Sequence, residues 1–237
     1  MTDAISLDNR EVHVWFGTSP AGSFIDCSTW DVLSSDERAA ADRLRDDGDR
    51  ALRVRARATL RRLLARYAGT DPKDICFERN RHGKPELVIG PCHPRLRFNL
   101  SHSGAKILVA VTAKREVGVD VERVQRDFPW EEVACSFLSP VEVTSIRSVP
   151  AGFRVRTFFE CWVRKEAYLK GLGTGLSSSL DGFVVPLGPD CGAVHDDRTA
   201  ATGAADWRVH PLDPGRGYVA ALAVAGDARV ICRRLSV

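Results

Sequence analysis

The sequence predicts an α+β fold, and three observations support this class. Each half of the chain runs from helical patterns into short strands, and each half contains one long amphipathic segment, at 50–66 and 158–170. The 237 residues are 44% hydrophobic and 27% charged, which is enough apolar material for a sizeable core and excludes a mainly disordered chain. No stretch approaches the roughly 18 apolar residues that a membrane span needs.

The first half is expected to begin with a strand at 12–16 and to continue into two helices. Ser34 precedes a run with Asp36 and Glu37, the typical N-cap and acidic first turn of a helix. An Asp-rich break at 46–49 separates this helix from the second one, which Gly69 and Pro72 close. Short strands are predicted at 75–78, 86–89, 96–100 and 107–112.

The second helix has seven arginines and no acidic residue between Arg50 and Arg66. Its apolar residues share one arc of a helical projection. A stripe of aligned arginines flanks that arc, and because guanidinium groups repel one another, it predicts an anionic ligand or an acidic neighbour. Three further arginines lie on the far side and are expected to be solvated. The arc comprises Leu52, Ala56, Leu60, Leu63, Leu64 and Tyr67, the stripe Arg50, Arg53, Arg57 and Arg61, and the far side Arg55, Arg62 and Arg66.

The second half is predicted to open with a strand at 117–121 and to contain three helices. The third of these, at 158–170, is strongly amphipathic and ends at Gly171 and Gly173. A Gly-, Ala- and Asp-rich segment at 188–206 is expected to be a loop. Predicted helices cover 131–138, 140–146 and 158–170, and predicted strands 183–186, 207–210, 218–225 and 229–235.

The seven cysteines are widely spaced and include no C-x-x-C pair, which disfavours a disulfide framework or a thiolate zinc site. Cys92 and His93 lie between two prolines and are interpreted as part of a loop. The first ten residues are polar and acidic where a signal peptide would be apolar, so a cytoplasmic protein is expected.

The segment Val-Gly-Val-Asp-Val-Glu at 117–122 is the clearest local signal of chemistry. In a strand its three valines point into a core, and Asp120 and Glu122 share the opposite face beside an open place at Gly118. Two such carboxylates suit Mg²⁺ or Mn²⁺. An exposed face with two acids remains the alternative.

Glu166 falls within the apolar arc of the helix at 158–170. A carboxylate on a buried face is costly unless it is paired, protonated or bound to a metal. Lys170 one turn later, or the adjacent Lys165, is the expected partner in a simple salt bridge. A metal ligand or a catalytic base is the other interpretation.

Two further turns are candidates for binding phosphate. Residues 97–104 read Arg-Phe-Asn-Leu-Ser-His-Ser-Gly and end a strand with several hydrogen-bond donors, although a lone histidine in a turn is more often structural. Residues 79–85 form a basic turn that is equally compatible with a charged hairpin. The motifs of P-loop, dinucleotide-binding, zinc-peptidase and serine-hydrolase enzymes do not occur.

Taken together, these segments resemble the 4′-phosphopantetheinyl transferases, in the large class of roughly 230 residues that activates polyketide and nonribosomal peptide synthetases. The resemblance is carried by the opening at 33–38 and by four segments in family order, at 82–85, 98–104, 117–122 and 162–176. It implies a pseudo-dimer of two similar α+β halves, 1–113 and 114–237, with the active site in the cleft between them. It also implies transfer of phosphopantetheine from coenzyme A to a serine of an apo acyl or peptidyl carrier protein, with release of adenosine 3′,5′-bisphosphate.

The resemblance also assigns expected roles to single residues. It implies that Mg²⁺ or Mn²⁺ is bound by Asp120, Glu122 and Glu166, with Glu166 also the candidate base and Lys170 next to the transferred phosphate. Six residues are expected to contact coenzyme A. The chain departs from the family near residue 40, where alanines replace a basic residue, and Arg38, Arg43 or Arg53 is a possible substitute. The expected coenzyme A contacts are Arg50, Arg79, Lys84, Ser101, His102 and Lys170.

Two other functions fit parts of the sequence. A Mg²⁺-dependent phosphodiesterase or nuclease would use the same carboxylates but lacks a second metal cluster. A nucleic-acid-binding module would use the helix at 50–66 but leaves Glu166 unexplained, and the net charge of +3 is low for that role. The transferase is therefore predicted, with no nucleic-acid partner and no membrane association. Because a pseudo-dimer holds both sides of the cleft, a monomer is expected.

Overall fold

The computed structural model describes residues 4–19, 22, 24–88, 96–174, 179–196 and 206–235. Helices and strands follow one another in the order of a mixed α+β protein. The helices are α1 (Cys27–Asp31), α2 (Ser35–Asp42), α3 (Asp47–Ala68), α4 (Trp130–Phe137), α5 (Pro140–Ser148) and α6 (Ala151–Leu172). The strands are β1 (Glu11–Thr18), β2 (Cys76–Arg79), β3 (Pro85–Val88), β4 (Arg97–Ser103), β5 (Lys106–Thr112), β6 (Val117–Arg123), β7 (Gly192–Ala193), β8 (Trp207–Leu212), β9 (Tyr218–Ala225) and β10 (Arg229–Arg234).

Two four-stranded sheets organise the molecule. The first has the order β10-β1-β5-β4, and the second has the order β6-β9-β8-β7. All neighbours are antiparallel except β1 and β10, which are parallel. Strands β2 and β3 form a separate antiparallel hairpin, in which Phe77 lies opposite Leu87. The α+β class and the two-halved architecture are thereby confirmed.

A shared apolar layer packs the two sheets against each other. Val12 and Val14 of the first sheet meet Val119 of the second within one buried cluster. The outer face of the first sheet is covered by α3, whose apolar arc packs on β4 and β5. The outer face of the second sheet is covered by α6. The order of layers is therefore helix, sheet, sheet, helix.

Local sequence signals explain where the principal helices begin and end. Ser34 and Glu37 form a reciprocal capping box at the start of α2. Asp46 caps the N-terminus of α3, and Gly69 ends that helix in the left-handed conformation with φ 67°. Gly173 ends α6 in the same way with φ 70°. Gly69 and Gly173 are among the signals by which the C-terminal ends of both long helices were predicted.

Helix α6 approaches strand β6 unusually closely at a pair of glycines. A Cβ atom on Gly118 would lie 1.9 Å from the carbonyl oxygen of Ala167 and 2.4 Å from the backbone nitrogen of Gly171. A Cβ atom on Gly171 would lie 2.5 Å from the Trp207 ring. The open place expected beside Gly118 is therefore wrong, because the backbone of α6 fills it.

Several predicted elements differ from the structure. The strand predicted at 183–186 is absent, since Val184 makes only an isolated bridge with His195. Helix α6 begins at Ala151 rather than 158, and the short helix α1 was not predicted. Strand β10 crosses back to pair with β1 in the first sheet. Cys92, His93 and 197–205 of the predicted loop lie outside the described residues.

None of the helices in the described part of the chain combines the length and the apolar character needed to cross a membrane.

Candidate active site

Side chains of β4 join the two sheets along the free edge of β6. The Oδ1 atom of Asn99 accepts a hydrogen bond from the Val119 N–H at 3.0 Å. The hydroxyl of Ser101 accepts one from the Val121 N–H at 3.3 Å, and that of Ser103 accepts one from the Arg123 N–H at 3.1 Å. Because alternate residues of a strand share one face, the sequence Asn-Leu-Ser-His-Ser places three acceptors opposite three N–H groups.

Asp120 lies at the centre of this junction and is only 2% exposed. Its Oδ1 atom accepts hydrogen bonds from the Ser101 hydroxyl at 2.8 Å and from the Lys170 ammonium at 2.5 Å. Lys170 also lies 3.2 Å from the Ser101 hydroxyl. The second carboxylate oxygen, Oδ2, is buried and has no hydrogen-bond partner among the described residues. A buried anionic oxygen without a partner is costly, so this atom indicates a missing cation or donor.

Glu122 and Glu166 flank Asp120 from β6 and from α6. Burial raises the pKa of Glu166, and the charge of Asp120 raises it further. Burial and Asp120 likewise raise the pKa of Glu122, whose carboxylate accepts a hydrogen bond from the Ser103 hydroxyl at 2.8 Å. Three carboxylates thus repel one another across one small region, and each favours a neutralising partner.

Lys170 supplies part of that neutralising charge. Burial alone would lower the pKa of Lys170, but the adjacent Asp120 carboxylate, followed by Glu166 and Glu122, raises it above the ordinary value. Within the described ranges, no group of three or more His, Cys, Asp or Glu side chains is gathered closely enough to hold a metal ion. The donor set beside the unpartnered Oδ2 atom consists of carboxylate oxygens, which fits Mg²⁺ or Mn²⁺ in chemistry.

A cleft of about 280 Å³ opens next to Asp120, between helix α3 of one half and helix α6 of the other. Its donors come from both halves, with Arg53 and Arg57 on α3 and Lys170 on α6. Burial lowers the pKa of His102 at the cleft wall, and the charges of Lys170, Arg53 and Arg57 lower it further. Its lining residues are Arg53, Arg57, Pro85, Asn99, Leu100, Ser101, His102 and Lys170. A concave surface with this many cationic and hydroxyl groups suits a polyanion.

The arginine stripe of α3 divides into binding and structural residues. Arg61 is buried, and its Nε atom lies 2.6 Å from the Glu37 carboxylate. Arg57 lies 3.7 Å from the same carboxylate and still reaches the cleft. Arg53 has no hydrogen bond or ion pair from its guanidinium to any residue in the described ranges. The acidic neighbour predicted for the stripe is therefore Glu37, while Arg53 is left for a ligand.

Arg50 lies apart from the cleft, in the first turn of α3, where its guanidinium pairs with Asp47 at 2.5 Å. The sequence predicted that all three far-side arginines are solvated. The structure contradicts this prediction in part. Arg55 is half-buried and donates to the carbonyl oxygens of Gly22 and Phe24. Arg62 is exposed, but it donates to the carbonyl oxygen of Ser28 at 3.1 Å. The helical projection alone does not show these contacts with the preceding segment.

The basic turn at 79–85 joins β2 to β3 and lies beside the end of α6. Arg79 is exposed and donates to the carbonyl oxygen of Gly83 at 3.0 Å. Lys84 has its ammonium group 2.9 Å from the Glu116 carboxylate and 2.7 Å from the carbonyl oxygen of Gly171. Lys84 is not among the residues that line the cleft.

The salt bridge proposed for Glu166 is not formed by Lys165. Lys165 is fully buried and pairs with Glu142 of α5 at 2.8 Å, and it donates to the carbonyl oxygens of Leu180 and Phe183. Lys170 is the ion-pair partner of Asp120 instead. Glu166 has no hydrogen bond or ion pair with any residue in the described ranges, although its charge is coupled to Asp120 and Lys170.

Sequence reasoning did not single out Arg57 and Asn99 as site residues. Arg57 is one of four arginines in the predicted stripe. Asn99 lies in the motif from which only Ser101 and His102 were predicted to bind coenzyme A. The signal that identifies Asn99 is its two-residue spacing from Ser101 and Ser103 on one strand face. Nothing local separates Arg57 from Arg61, because that distinction depends on where Glu37 lies.

Comparisons with known proteins match both halves of the chain. A family model described as the 4′-phosphopantetheinyl transferase superfamily matches residues 116–223, and one described as the N-terminal part of 4′-phosphopantetheinyl transferase matches residues 25–114. The 4′-phosphopantetheinyl transferase HetI of Nostoc sp. is 34% identical over 224 residues, which cover 94% of this chain and 91% of HetI.

Two relatives from Bacillus subtilis match shorter stretches. A 4′-phosphopantetheinyl transferase is 34% identical over 131 residues, covering 55% of this chain and 56% of the relative. The 4′-phosphopantetheinyl transferase Sfp of strain 168 is 30% identical over 157 residues, covering 66% of each chain. The matches favour this family over the phosphodiesterase and nucleic-acid-binding alternatives.

Proposed function

This chain belongs to the 4′-phosphopantetheinyl transferase superfamily, and from that membership we propose how its own residues perform the transfer. The enzyme transfers the 4′-phosphopantetheine group of coenzyme A to a serine of a carrier protein and releases adenosine 3′,5′-bisphosphate. The acceptor is an apo acyl or peptidyl carrier protein. The observation that carries the proposal is the cleft lined by Arg53 and Arg57 of one half and by Lys170 of the other, whose ammonium is bound to the buried Asp120.

The diphosphate of coenzyme A is held by the donors that line the cleft. Arg53 has a free guanidinium, Arg57 shares its own with Glu37, and Lys170 reaches in from the opposite half. Charge-assisted hydrogen bonds from such groups are the strong ones for phosphate oxygens. Ser101 and His102 complete the wall, and His102 acts as a neutral donor because its pKa is lowered. Arg50 and Arg79 lie outside this wall and are assigned to the outer nucleotide end.

A divalent cation fits beside the unpartnered Oδ2 atom of Asp120. Asp120 would hold Mg²⁺ or Mn²⁺ through its Oδ2 atom. Glu122 and Glu166 are the other proposed ligands, and their carboxylates would have to move closer to Asp120 to complete the set, because the three are not gathered closely enough in the described structure. The ion would neutralise negative charge that develops on the diphosphate in the transition state. Its arrival would also relieve the repulsion that raises the pKa of Glu122 and Glu166. Lys170 neutralises the transferred group from the other side of Asp120.

Glu166 is proposed as the base that accepts the proton of the carrier serine. The serine oxygen forms a bond to the phosphorus on the pantetheine side, and the bond from that phosphorus to the oxygen of the nucleotide phosphate breaks. A carboxylate without a hydrogen bond or ion pair to the described residues keeps its oxygens available for this proton.

Both sides of the cleft come from one chain, and we propose that the enzyme acts as a monomer. The cleft combines α3 of the first half with α6 of the second. We place the division between the halves at residues 113 and 114, in the turn between β5 and β6. Strand β10 is the exception to that division, since it pairs with β1.

Incubation of an apo carrier protein with the enzyme, coenzyme A and Mg²⁺ tests the function directly. Intact mass spectrometry is expected to show one phosphopantetheine added to the carrier serine. Several acyl and peptidyl carriers are used in parallel, and failure to modify any of them contradicts the proposal.

Asp120→Ala tests the metal site. It removes the unpartnered oxygen, so most of the turnover and its dependence on added Mg²⁺ are expected to disappear, since the remaining oxygens hold a hard cation poorly against water. Titration of Mg²⁺ is the measurement, and Asp227→Ala at an exposed position is the control. Wild-type rates that persist in excess chelator would contradict the metal role.

A further inference from the structure

Asn80 organises the turn of the β2–β3 hairpin. Its side-chain oxygen accepts hydrogen bonds from the N–H groups of His82 at 2.9 Å and of Lys84 at 3.0 Å. Its backbone N–H bonds to the carbonyl oxygen of Lys84, and its own carbonyl accepts from Gly83. An asparagine that holds two backbone N–H groups fixes a turn without help from the rest of the fold.

The same turn binds the C-terminal end of α6 in the other half. The amide nitrogen of Asn80 donates to the carbonyl oxygen of Gly173 at 3.3 Å, and the Lys84 ammonium donates to that of Gly171 at 2.7 Å. The last carbonyls of a helix have no partner within the helix, so these two donors act as a C-cap supplied from outside.

Lys84 has its ammonium group fully engaged in this contact. Besides Gly171, it pairs with the Glu116 carboxylate at 2.9 Å and lies 3.5 Å from the carbonyl oxygen of Val117. Only 9% of its side chain is exposed. Three donor positions of one ammonium therefore meet three oxygens of the second half. A ligand phosphate would have to displace one of them.

The side chains of Lys84 and Asn80 pack closely against Gly173 at the end of α6. A Cβ atom on Gly173 would lie 2.8 Å from Cδ of Lys84 and 3.0 Å from the amide nitrogen of Asn80. Lys170 is one turn before this point and Glu166 two turns before it. Movement of the helix end would carry the ammonium of Lys170 away from Asp120, to which it is bound at 2.5 Å.

We propose that Asn80 and Lys84 are positioning residues, which latch the hairpin of the first half onto the end of α6 and so hold Lys170 and Glu166 in the cleft. The catalytic part of this inference rests on the proposed function. The latch replaces the direct coenzyme A contact expected for Lys84. The latch consists of the two hydrogen bonds by which Asn80 and Lys84 of the first half cap the C-terminus of α6 in the second half.

Two variants separate the latch from a direct ligand contact. Asn80→Asp keeps an oxygen for the turn but loses the donor to Gly173, and Lys84→Met keeps the aliphatic stem but loses the ammonium. Glu78→Gln, exposed on the same hairpin, is the matched control. The measurements are hydrogen exchange of the amides at 170–174 without any ligand, the Kd of coenzyme A by calorimetry, and kcat at saturating coenzyme A and carrier.

Both variants are expected to exchange these amides several-fold faster than the control, with kcat about tenfold lower and Kd changed by less than about threefold. Unchanged exchange overturns the latch, and so does a Kd weakened about tenfold at constant kcat, which identifies a ligand contact. Faster exchange with unchanged kcat overturns the positioning role. If the wild-type enzyme modifies no carrier, the proposed function fails, while ligand-free exchange still decides whether the latch exists.

Discussion

At the scale of single residues, the site combines one carboxylate in an ion pair, Asp120, with two carboxylates that form no ion pair among the described residues, Glu122 and Glu166. Asp120 is stabilised by Lys170 and Ser101 on one oxygen, while Glu122 and Glu166 have their pKa raised by burial and by Asp120. A carboxyl group with a raised pKa is better suited to accept a proton than an ordinary one. Asp120 is thus held by Lys170 and Ser101 on one oxygen, whereas Glu166 has no hydrogen bond or ion pair to the described residues and is the carboxylate proposed to accept the proton.

Glu166→Gln tests this assignment, since the amide preserves size but cannot accept the serine proton. Turnover is expected to fall by roughly a hundredfold or more, the usual scale for loss of general-base catalysis. Binding of coenzyme A with Mg²⁺ should survive better than in Asp120→Ala. Single-turnover transfer and calorimetry are the measurements, with Glu160→Gln in the same helix as control. Near-normal transfer would mean that the base lies elsewhere.

His13 predicts a pH dependence that is independent of the site. Burial and, after it, the charge of Arg233 lower the pKa of His13 from its ordinary 6.5, while the Glu11 carboxylate partly raises it. The folded state thus binds this proton more weakly than the unfolded chain. The associated stability is complete above pH 6.5 and is lost as the pH falls through the lowered pKa.

His13→Gln is therefore expected to reduce the fall in unfolding free energy between about pH 7.5 and 5. The glutamine retains a polar group for the Tyr67 hydroxyl, which lies 2.6 Å from the imidazole. Urea denaturation at several pH values is the measurement, and His82→Gln at an exposed turn is the control. Parallel curves for wild type and His13→Gln would exclude His13 as the source.

At the scale of elements, the crossing of α6 and β6 determines the geometry of the site. Gly118 permits the backbone of α6 to lie directly on β6, between the positions of Ala167 and Gly171. This approach brings Lys170 of the helix to Asp120 of the strand. Gly118 and Gly171 are 53 residues apart in the sequence, and their contact brings the two motifs together in one site.

Gly118→Ala is expected to destabilise the protein by about 3 kcal/mol or more, at the upper end for overpacking, because the nearest neighbours of the new Cβ atom are backbone atoms that cannot rotate away. Lys170 should also be displaced, so transfer falls in the folded fraction. Gly152→Ala is the control, since nothing lies within 4 Å of that Cβ and alanine favours helix by up to about 1 kcal/mol. Equal stability of wild type and Gly118→Ala would contradict this packing.

At the scale of the whole molecule, the two sheets meet through side chains where the free edges of β4 and β6 come together. Asn99, Ser101 and Ser103 accept three consecutive outward N–H groups of β6. Edge strands normally leave such groups to solvent or to another chain. Here the side chains of β4 satisfy the N–H groups at the edge of β6. The same arrangement lets the Ser101 hydroxyl donate a hydrogen bond to Asp120.

Asn99→Ala is expected to cost about 1–3 kcal/mol, because the buried Val119 N–H then loses its partner. The loss should lower the stability of both halves in a single transition, since the junction belongs to both. Urea unfolding followed by fluorescence and by circular dichroism is the measurement, and Asn9→Ala in an exposed turn is the control. Two separated transitions in the wild type would argue against a common junction.

The sequence alone determined most of the helices and strands, because the signals for them are local. Alternation predicted β6, a continuous apolar run predicted β9, apolar periodicity predicted α3, and glycines predicted the C-terminal ends of the two long helices. It also predicted site residues: Asp120 from two carboxylates on one strand face, Glu166 from the cost of a carboxylate on an apolar helix face, and Lys170 from its place one turn later and from the family resemblance. The prediction of a strand at 183–186 was wrong. The local pattern is apolar, but the segment has no neighbouring strand to pair with beyond the single bridge between Val184 and His195.

Only the tertiary structure decided which charged groups meet. Lys165 pairs with Glu142, Lys84 with Glu116 and Arg61 with Glu37, and these partners are 23, 32 and 24 residues apart. Such pairs depend on how helices and sheets pack. A helical projection shows on which side of the helix a side chain lies, but it does not show which residue of another element faces that side chain. The packing therefore places Arg53 in the cleft and Lys84 at the end of α6. The sequence alone does not distinguish them, because both are basic residues in segments predicted to bind an anion.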